Sequence, residues 1–261
     1  MGLIMSKVLL EKYDGYAMVI LNRPDSMNAL SRALREEFVA VFEECQRDES
    51  IRVVIVTGNG KAFCAGFDLK ELSDPNAGSA DQTSDNTIAR AMEAFDGPII
   101  GAINGHAVTG GFELALACDV IIASEHARFA DTHARVGILP GWGLSQRLPR
   151  LIGLSRAKEL SLTGRPLFAD QALAWGLVNS VCPADELIPN AKAMAQAMCE
   201  CVPHIMREYN KLIDDGFSMP LNEAMVYEER IAIESAKHAA AELLATRTDG
   251  VFAKGRSEKN K

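Results

Sequence analysis

The sequence lacks several features by which large protein classes are recognised. It has no uninterrupted apolar run near the roughly 18 residues that span a membrane, and no charged N-terminal segment followed by a long apolar one. It also lacks a basic excess, because its formal net charge is -8, which argues against a nucleic-acid binder held by a global positive field. These absences predict a protein that is neither exported nor embedded in a membrane, and that has no nucleic-acid partner.

Cysteines at metal-binding or redox spacing are also missing. The six cysteines form no C-x-x-C motif and lie mostly in apolar stretches, as small core residues do. They predict reduced thiols and a cytoplasmic location. Cys64 lies in a glycine-rich turn, but no histidine or asparagine at a recognisable spacing supports a nucleophilic role for it.

The common nucleotide and nucleophile motifs are absent as well. In VIVTGNGKAFCAGFD, the third glycine of a dinucleotide-binding fingerprint would fall at Phe63, so that interpretation fails at its most informative position. Neither a G-x-x-x-x-G-K-[ST] loop nor a G-x-S-x-G elbow occurs. Because no ligand cluster with metal spacing is found either, no metal or redox cofactor is implied.

The chain does contain alternating strand-like and helix-like segments. With 261 residues, 48% of them hydrophobic, it can bury a substantial core. AMVILN and IRVVIVTG are β-branched runs that end at turn residues, and the stretch between them has apolar residues at helical spacing. Further buried strands are indicated by PIIGAIN and DVIIAS, and the sequence after about residue 150 is mostly helical. This order predicts an α/β fold with right-handed crossovers and a C-terminal helical subdomain.

A second glycine-rich turn, TGGFELALACD, precedes a short apolar helix. Backbone N–H groups at a helix N-terminus have no internal partners and lie in positive potential. Gly110 and Gly111 have no side chains, so an anion could approach those groups closely. Glu113 lies in the first turn of the helix, where it could complement the helix dipole or take part in chemistry.

A polar cluster occupies alternate positions in FADTHARVGILPG, at Asp131, His133 and Arg135. In an extended segment the three side chains would share one face. The pattern alone favours a solvated face over an active-site cluster. Asp131 and Arg135 could orient His133, but an ion pair between the two is the simpler expectation.

Five segments resemble, in order and spacing, the motifs of the crotonase (enoyl-CoA hydratase/isomerase) family. They are LNRPDSMNAL, GKAFCAGFDLKE, AINGHAVTGGFELALACD, GILPGWGLSQRL and LTGRPLFADQALAWGLVN, and the resemblance runs from about Val8 to at least Ser180. It implies a spiral of β-β-α units over residues 1–195. It also implies that residues 196–261 form a helical region that assembles homotrimers or homohexamers, the latter as dimers of trimers.

The resemblance implies that the substrate is an acyl-CoA thioester. By motif position, the backbone N–H groups of Phe67 and Gly110 would stabilise an enolate-like thioester oxygen, and such donors are worth about 3 to 4 kcal/mol each. The Phe67 side chain, where many hydratases have alanine, would narrow or redirect the acyl pocket. Lys70 would be either a contact for a phosphate or the adenine, or a solvated lysine on a helix. The CoA moiety would lie along Ala65, Gly66, Asp68, Leu69 and Lys70.

Hydratases of the family use two glutamates to hold a water and move a proton, and the resemblance supplies only one, at Glu113. The second position, four residues before Gly137 and seven before Pro140, holds His133. His133 could replace the acid/base, since imidazole has an unperturbed pKa of about 6.5. It could instead serve isomerisation, decarboxylation or thioester hydrolysis on the same enolate scaffold, or mark an acyl-CoA binder that has lost catalysis. Hydration of a 2-enoyl-CoA is the leading expectation.

Overall fold

Ten strands and eleven α-helices are found in the residues that the structure, a computed structural model, describes: 6–72 and 86–238. The strands are β1 Val8–Lys12, β2 Tyr16–Leu21, β3 Val53–Gly58, β4 Ala62–Cys64, β5 Ile99–Ile103, β6 His106–Val108, β7 Val120–Ser124, β8 Arg128–Ala130, β9 Leu167–Phe168 and β10 Ser180–Cys182. The helices are α1 Arg32–Arg47, α2 Leu69–Leu72, α3 Thr87–Glu93, α4 Gly110–Leu116, α5 His133–Val136, α6 Leu144–Ile152, α7 Leu154–Thr163, α8 Ala169–Ala174, α9 Leu187–Cys199, α10 Pro203–Phe217 and α11 Leu221–His238.

The strands form two sheets, which are parallel except at one edge of each. The larger has the order β1-β2-β3-β5-β7-β10, and the smaller has the order β4-β6-β8-β9. Only the β1-β2 and β8-β9 pairs within them are antiparallel. Parallel neighbours need long crossovers, usually helical, which explains why strand and helix segments alternate along the sequence. The predicted α/β class is confirmed.

Both faces of the larger sheet are buried, as the β-branched run of β3 indicates. On one face Val54 and Val56 join a cluster that includes Phe38 and Phe42 of α1. On the other face Val53 and Ile55 belong to a second cluster. That cluster includes Leu187, Ala191 and Ala195 of α9.

The chain divides into two compact units, residues 1–207 and 208–261. The predicted boundary after residue 195 falls inside α9, whose Ala191 and Ala195 are fully buried, so the packing of α9 keeps it in the first unit. In the second unit Tyr227 of α11 donates a hydrogen bond to Asp215 of α10 over 2.8 Å. Residues 239–261 of the predicted C-terminal region lie outside the described residues.

The six cysteines are all free thiols, as predicted. Three of them, Cys45, Cys64 and Cys118, are buried, and they behave as small core residues. In the two described ranges, no helix combines the length and the apolar content that crossing a membrane requires.

Candidate active site

Three parallel strands of the smaller sheet end side by side, and the candidate residues follow them. Strands β4, β6 and β8 are adjacent in the sheet, and the carboxyl ends of parallel strands lie at the same edge. Phe67 follows β4, Gly110 follows β6, and His133 follows β8. The topology therefore brings together residues that are far apart in the sequence.

The two predicted oxyanion donors lie on turns that touch each other. Gly66, at φ +85°, is so close to the next turn that an added Cβ would be 3.2 Å from the Gly110 nitrogen. A Cβ on Gly110 would lie 3.6 Å from a ring carbon of Phe67. Among the described residues, no acceptor takes a hydrogen bond from the Phe67 N–H or the Gly110 N–H. Both N–H groups are therefore available to a ligand oxygen.

Gly111 holds these turns together because it has no side chain. An added Cβ would lie 2.0 Å from the Cys64 carbonyl oxygen and 2.8 Å from the Cys64 Cβ, which is far inside van der Waals contact. The start of α4 is thus packed directly on the end of β4. This close approach fixes the position of Gly110 relative to Phe67.

Glu113 is buried and its carboxylate is held by the main chain. Its Oε1 accepts hydrogen bonds from the Trp142 N–H at 2.7 Å and the Leu144 N–H at 3.4 Å. Its Oε2 lies 3.4 Å from the His133 Nε2. Complementing the helix dipole would not require these contacts, which hold the carboxylate beside the imidazole.

His133 is held between two carboxylates. Its Nδ1 lies 2.7 Å from the Asp131 Oδ1, and its main-chain N–H donates to the same oxygen at 3.1 Å. Only 1% of Glu113, 2% of Asp131 and 3% of His133 is exposed. A buried ion pair needs such satisfied partners to persist, and the three residues form a chain from Asp131 through the imidazole to Glu113.

The two neighbouring carboxylates favour the protonated, imidazolium form of His133. Burial lowers the pKa of His133, but the hydrogen bonds to Asp131 and Glu113 outweigh burial and raise it to about 9. Burial raises the pKa of Asp131, and hydrogen bonds from His133 and Ser161 more than reverse this, so that its pKa is lowered. At neutral pH His133 is therefore a proton donor toward Glu113.

Arg135 lies apart from Asp131 and His133. The strand ends at Ala130, and α5 begins at His133, so the alternation with a period of two stops before Arg135. Arg135 is exposed, and its Nε donates to the Thr163 carbonyl at 2.8 Å. The prediction of an ion pair between Asp131 and Arg135 is therefore wrong. The prediction that Asp131 and His133 lie on a solvated face is also wrong, because both are buried.

The Phe67 side chain packs beside the residue that holds Glu113. Its ring centroid lies 5.2 Å from that of the buried Trp142, at an interplanar angle of 54°. The Arg35 guanidinium lies 5.2 Å from the Phe67 centroid. Trp142 and Leu144 were not predicted, because a main-chain donor leaves no signature in residue type.

Some residues of the segment predicted to lie along CoA are held by contacts within the protein, and others are exposed to solvent. Asp68 forms an ion pair with Arg23 at 3.1 Å and accepts a hydrogen bond from the Lys70 N–H at 3.2 Å, which caps α2. The Ala65 N–H donates to the Met27 carbonyl at 3.0 Å. Leu69, at 64% exposure, and Lys70 lie on the surface, where a large ligand could reach them.

Cys64 is unsuited to nucleophilic attack. It is fully buried, and burial raises the pKa of its thiol to about 12, so the reactive thiolate is scarce at neutral pH. In the described ranges, no group of three or more histidine, cysteine, aspartate or glutamate side chains has an arrangement that could hold a metal ion.

The family model described as enoyl-CoA hydratase/isomerase matches residues 11–253 of the chain. The chain belongs to this family. The family resemblance of the five motifs is thereby confirmed. The crotonase-type spiral fold is supported by the similarity to a solved enoyl-CoA hydratase structure.

Individual members of the enoyl-CoA hydratase/isomerase family are similar to this chain over most of their length. "Probable enoyl-CoA hydratase 1, peroxisomal" of Arabidopsis thaliana is 43% identical over 218 residues, which is 84% of this chain and 82% of that protein. The "Short-chain-enoyl-CoA hydratase" of Clostridium acetobutylicum is 37% identical over 86% of this chain and 87% of that protein. The crystal structure of an enoyl-CoA hydratase from Bacillus anthracis matches with a TM-score of 0.87 and 36% identity, over 94% of this chain and 96% of that one.

Proposed function

We propose that the protein adds water to a 2-enoyl-CoA, giving the 3-hydroxyacyl-CoA. One observation carries the proposal: a buried carboxylate and a buried imidazole, Glu113 Oε2 and His133 Nε2, lie 3.4 Å apart. Glu113 lies in α4, the helix that begins at Gly110, and the turn before α4 touches the turn that carries Phe67. Hydration needs these two functions, a base and an acid, beside a site for developing negative charge.

The two N–H groups would receive the thioester oxygen. As water attacks C3, negative charge moves through C2 to this oxygen, and a preorganised donor is worth most where charge develops during the reaction. Because the donors belong to the main chain, Phe67 can shape the acyl pocket with its side chain while it donates from its backbone.

The proton transfers balance within the Glu113–His133 pair. Glu113 takes a proton from the water whose oxygen bonds to C3, and His133 gives its Nε2 proton to C2. The pair is then left with a protonated carboxyl and a neutral imidazole. Transfer of that proton from Glu113 to His133 over the 3.4 Å contact restores the starting state.

The burial of His133 argues against an acyl-CoA binder that has lost catalysis. A histidine that only packs does not need two buried carboxylates, and ionisable groups brought together in this way are costly to bury. The charged chain of Asp131, His133 and Glu113 therefore favours a role in proton transfer.

We further propose the contacts and setting of the reaction. The CoA moiety runs along residues 65–70 with Lys70 near a phosphate or the adenine, and the thioester reacts without a metal or redox cofactor. The protein is a homotrimer or a dimer of trimers. Large apolar side chains of α10 and α11 support the assembly, since Phe217 is 70% and Leu221 is 78% exposed. The six free thiols support a cytoplasmic location.

Replacement of Glu113 by glutamine tests the proposal directly. With crotonyl-CoA, the loss of enoyl absorbance should slow by about 10²- to 10⁴-fold in Glu113→Gln, while the dissociation constant for crotonyl-CoA changes little. Glu43→Gln makes the same chemical change on the exposed face of α1 and should leave the rate unaltered.

Three results would contradict the proposal. Undiminished turnover in Glu113→Gln would remove Glu113 from the mechanism but would leave hydration in place. Tight binding of crotonyl-CoA by the unaltered protein without loss of enoyl absorbance would instead support an acyl-CoA binder that has lost catalysis. Turnover of 3-enoyl-CoA or saturated acyl-CoA alone, with products identified, points to isomerisation or thioester hydrolysis.

A further inference from the structure

Thr109 has a backbone conformation that is usual only for glycine. It lies between β6 and α4 with φ 54° and ψ -113°. A β-branched side chain is strongly disfavoured there, because its Cβ substituents crowd the backbone. A glycine would adopt the same conformation without strain, so the strain must be outweighed by contacts that threonine makes.

Those contacts connect the turns after β6 and β8. The Thr109 N–H donates to the Ala130 carbonyl at 2.8 Å, and the Thr109 carbonyl accepts from the N–H groups of Phe112 and Glu113, each at 2.9 Å. The Thr109 hydroxyl forms a hydrogen bond with the Thr132 hydroxyl. Of these groups, only the hydroxyl depends on the side chain.

Thr132 has the equivalent place in the next turn. Its carbonyl accepts from the Arg135 N–H at 2.9 Å and the Val136 N–H at 3.1 Å, so it begins α5 as Thr109 begins α4. The residue after Thr109 is Gly110, a candidate oxyanion donor, and the residue after Thr132 is His133. The two hydroxyls thus join the starts of the two helices that carry the reacting groups.

We propose that Thr109 and Thr132 are positioning residues: the hydrogen bond between their hydroxyls fixes the Gly110 N–H relative to His133. The oxyanion donor and the proton donor then act on one thioester in a single geometry. This role rests on the proposed function of the site. It explains why a strained threonine is present where glycine would relieve the backbone.

Removal of either hydroxyl at constant shape tests the pair. Thr109→Val and Thr132→Val should each lower kcat about tenfold and leave KM within about twofold, because misplaced groups affect the reaction more than binding. The double variant should be no slower than either single variant, since one interaction is lost in all three. Thr109→Ser keeps the hydroxyl and should keep kcat within about twofold of the unaltered protein.

Thr109→Gly separates the hydroxyl from the backbone. It relieves the strained conformation, and its melting temperature shows whether the protein remains folded. It should nevertheless lose as much kcat as Thr109→Val. A folded Thr109→Val, Thr109→Gly or Thr132→Val protein with undiminished kcat overturns the proposal, and so do losses that add in the double variant.

A readout without turnover separates this proposal from the proposed function. Butyryl-CoA labelled with ¹³C at the thioester carbonyl is saturated, so it cannot be hydrated, but its resonance shifts downfield when N–H groups donate to the carbonyl oxygen. The shift should be smaller in both valine variants and normal in Thr109→Ser. An unchanged shift in the valine variants overturns the positioning role. If the valine variants show a reduced shift but the unaltered protein hydrates no enoyl-CoA, the positioning role is supported and only the proposed hydration is rejected.

Discussion

At the scale of single residues, the negative charge of Asp131 helps to set the pH range over which the His133 imidazole can act as an acid. An acid catalyst must be protonated, and the pKa of His133 is raised to about 9. Activity should therefore persist to weakly alkaline pH and fall as the pH rises through about 9. A neutral amide at position 131 would remove the charge that supports the imidazolium.

Asp131→Asn should move the alkaline limb of the kcat/KM profile to lower pH. The sign follows from the loss of an anion, which lowers the pKa of the neighbouring histidine. The measurement is kcat/KM for crotonyl-CoA from about pH 6 to 10, a range that brackets the shifted pKa. Asp170→Asn, on the exposed surface of α8, is the matched control. An alkaline limb that stays in place would separate Asp131 from the titration of His133.

Phe67 permits a second residue-scale prediction, on acyl-chain selection. Phe67→Ala keeps the backbone N–H but removes the ring that packs on Trp142. The ratio of kcat/KM for a long-chain enoyl-CoA to that for crotonyl-CoA should rise about tenfold, the effect of opening an apolar pocket. Phe168→Ala, at an exposed ring on β9, should leave this ratio unchanged. A ratio that stays constant in Phe67→Ala would show that the ring does not limit the acyl chain.

The two side chains proposed to react could be located from the sequence, but the groups that hold them could not. Glu113 and His133 carry distinctive side chains at fixed distances from glycine and proline, so the motifs single them out. Trp142 and Leu144 hold Glu113 through main-chain N–H groups, which every residue except proline possesses. The partner of Asp131 was also misjudged, because the pattern did not show where β8 ends.

At the scale of elements, the contact between α4 and β4 depends on the size of Gly111. Gly111→Ala should lower the free energy of unfolding by about 1–3 kcal/mol, as overpacking does, because its Cβ would lie 2.0 Å from the Cys64 carbonyl oxygen. Chemical denaturation measures the change. Gly141→Ala places its Cβ where no atom lies within 4 Å and should be nearly neutral. Equal stability of the two variants would contradict the close packing.

Strands and helices differ in how well the sequence predicts them. The long β-branched runs of β3, β5 and β7 are predicted correctly, since burial on both faces leaves a continuous apolar pattern. The four-residue α5 is too short for a helical period. Gly137 follows its last residue, Val136, and closes the turn with a φ of 80°. The local alternation of polar residues does not indicate this turn.

At the scale of the whole molecule, the raised pKa of His133 links stability to pH. A group that binds its proton more tightly when folded stabilises the fold fully below its unfolded pKa of about 6.5. This contribution is lost as the pH rises through the folded value of about 9. The free energy of unfolding should therefore fall between about pH 6.5 and 9, by at most about 1.4 kcal/mol per pH unit.

His133→Gln isolates this effect. The variant should show a flatter dependence of unfolding free energy on pH between about 6 and 8. Buried thiols do not interfere in that range, because an unfolded cysteine titrates at about pH 8.5. Parallel curves for the two proteins would mean that His133 does not gain its proton on folding.

The boundary predicted after residue 195 lies within α9, whose sequence is rich in alanine and methionine, like the helical region after it. Ala191 and Ala195 of α9 are buried in the same cluster as Val53 and Ile55. Such a long-range contact cannot be read from local composition.

The 3.4 Å contact between Glu113 and His133 also has a stereochemical meaning. An enoyl thioester is planar, and two groups this close together cannot lie on opposite sides of it. In the proposed hydration, the hydroxyl at C3 and the hydrogen at C2 would then be delivered to the same face of the double bond. In deuterium oxide, the product should carry its new oxygen and its new deuterium in a syn relationship.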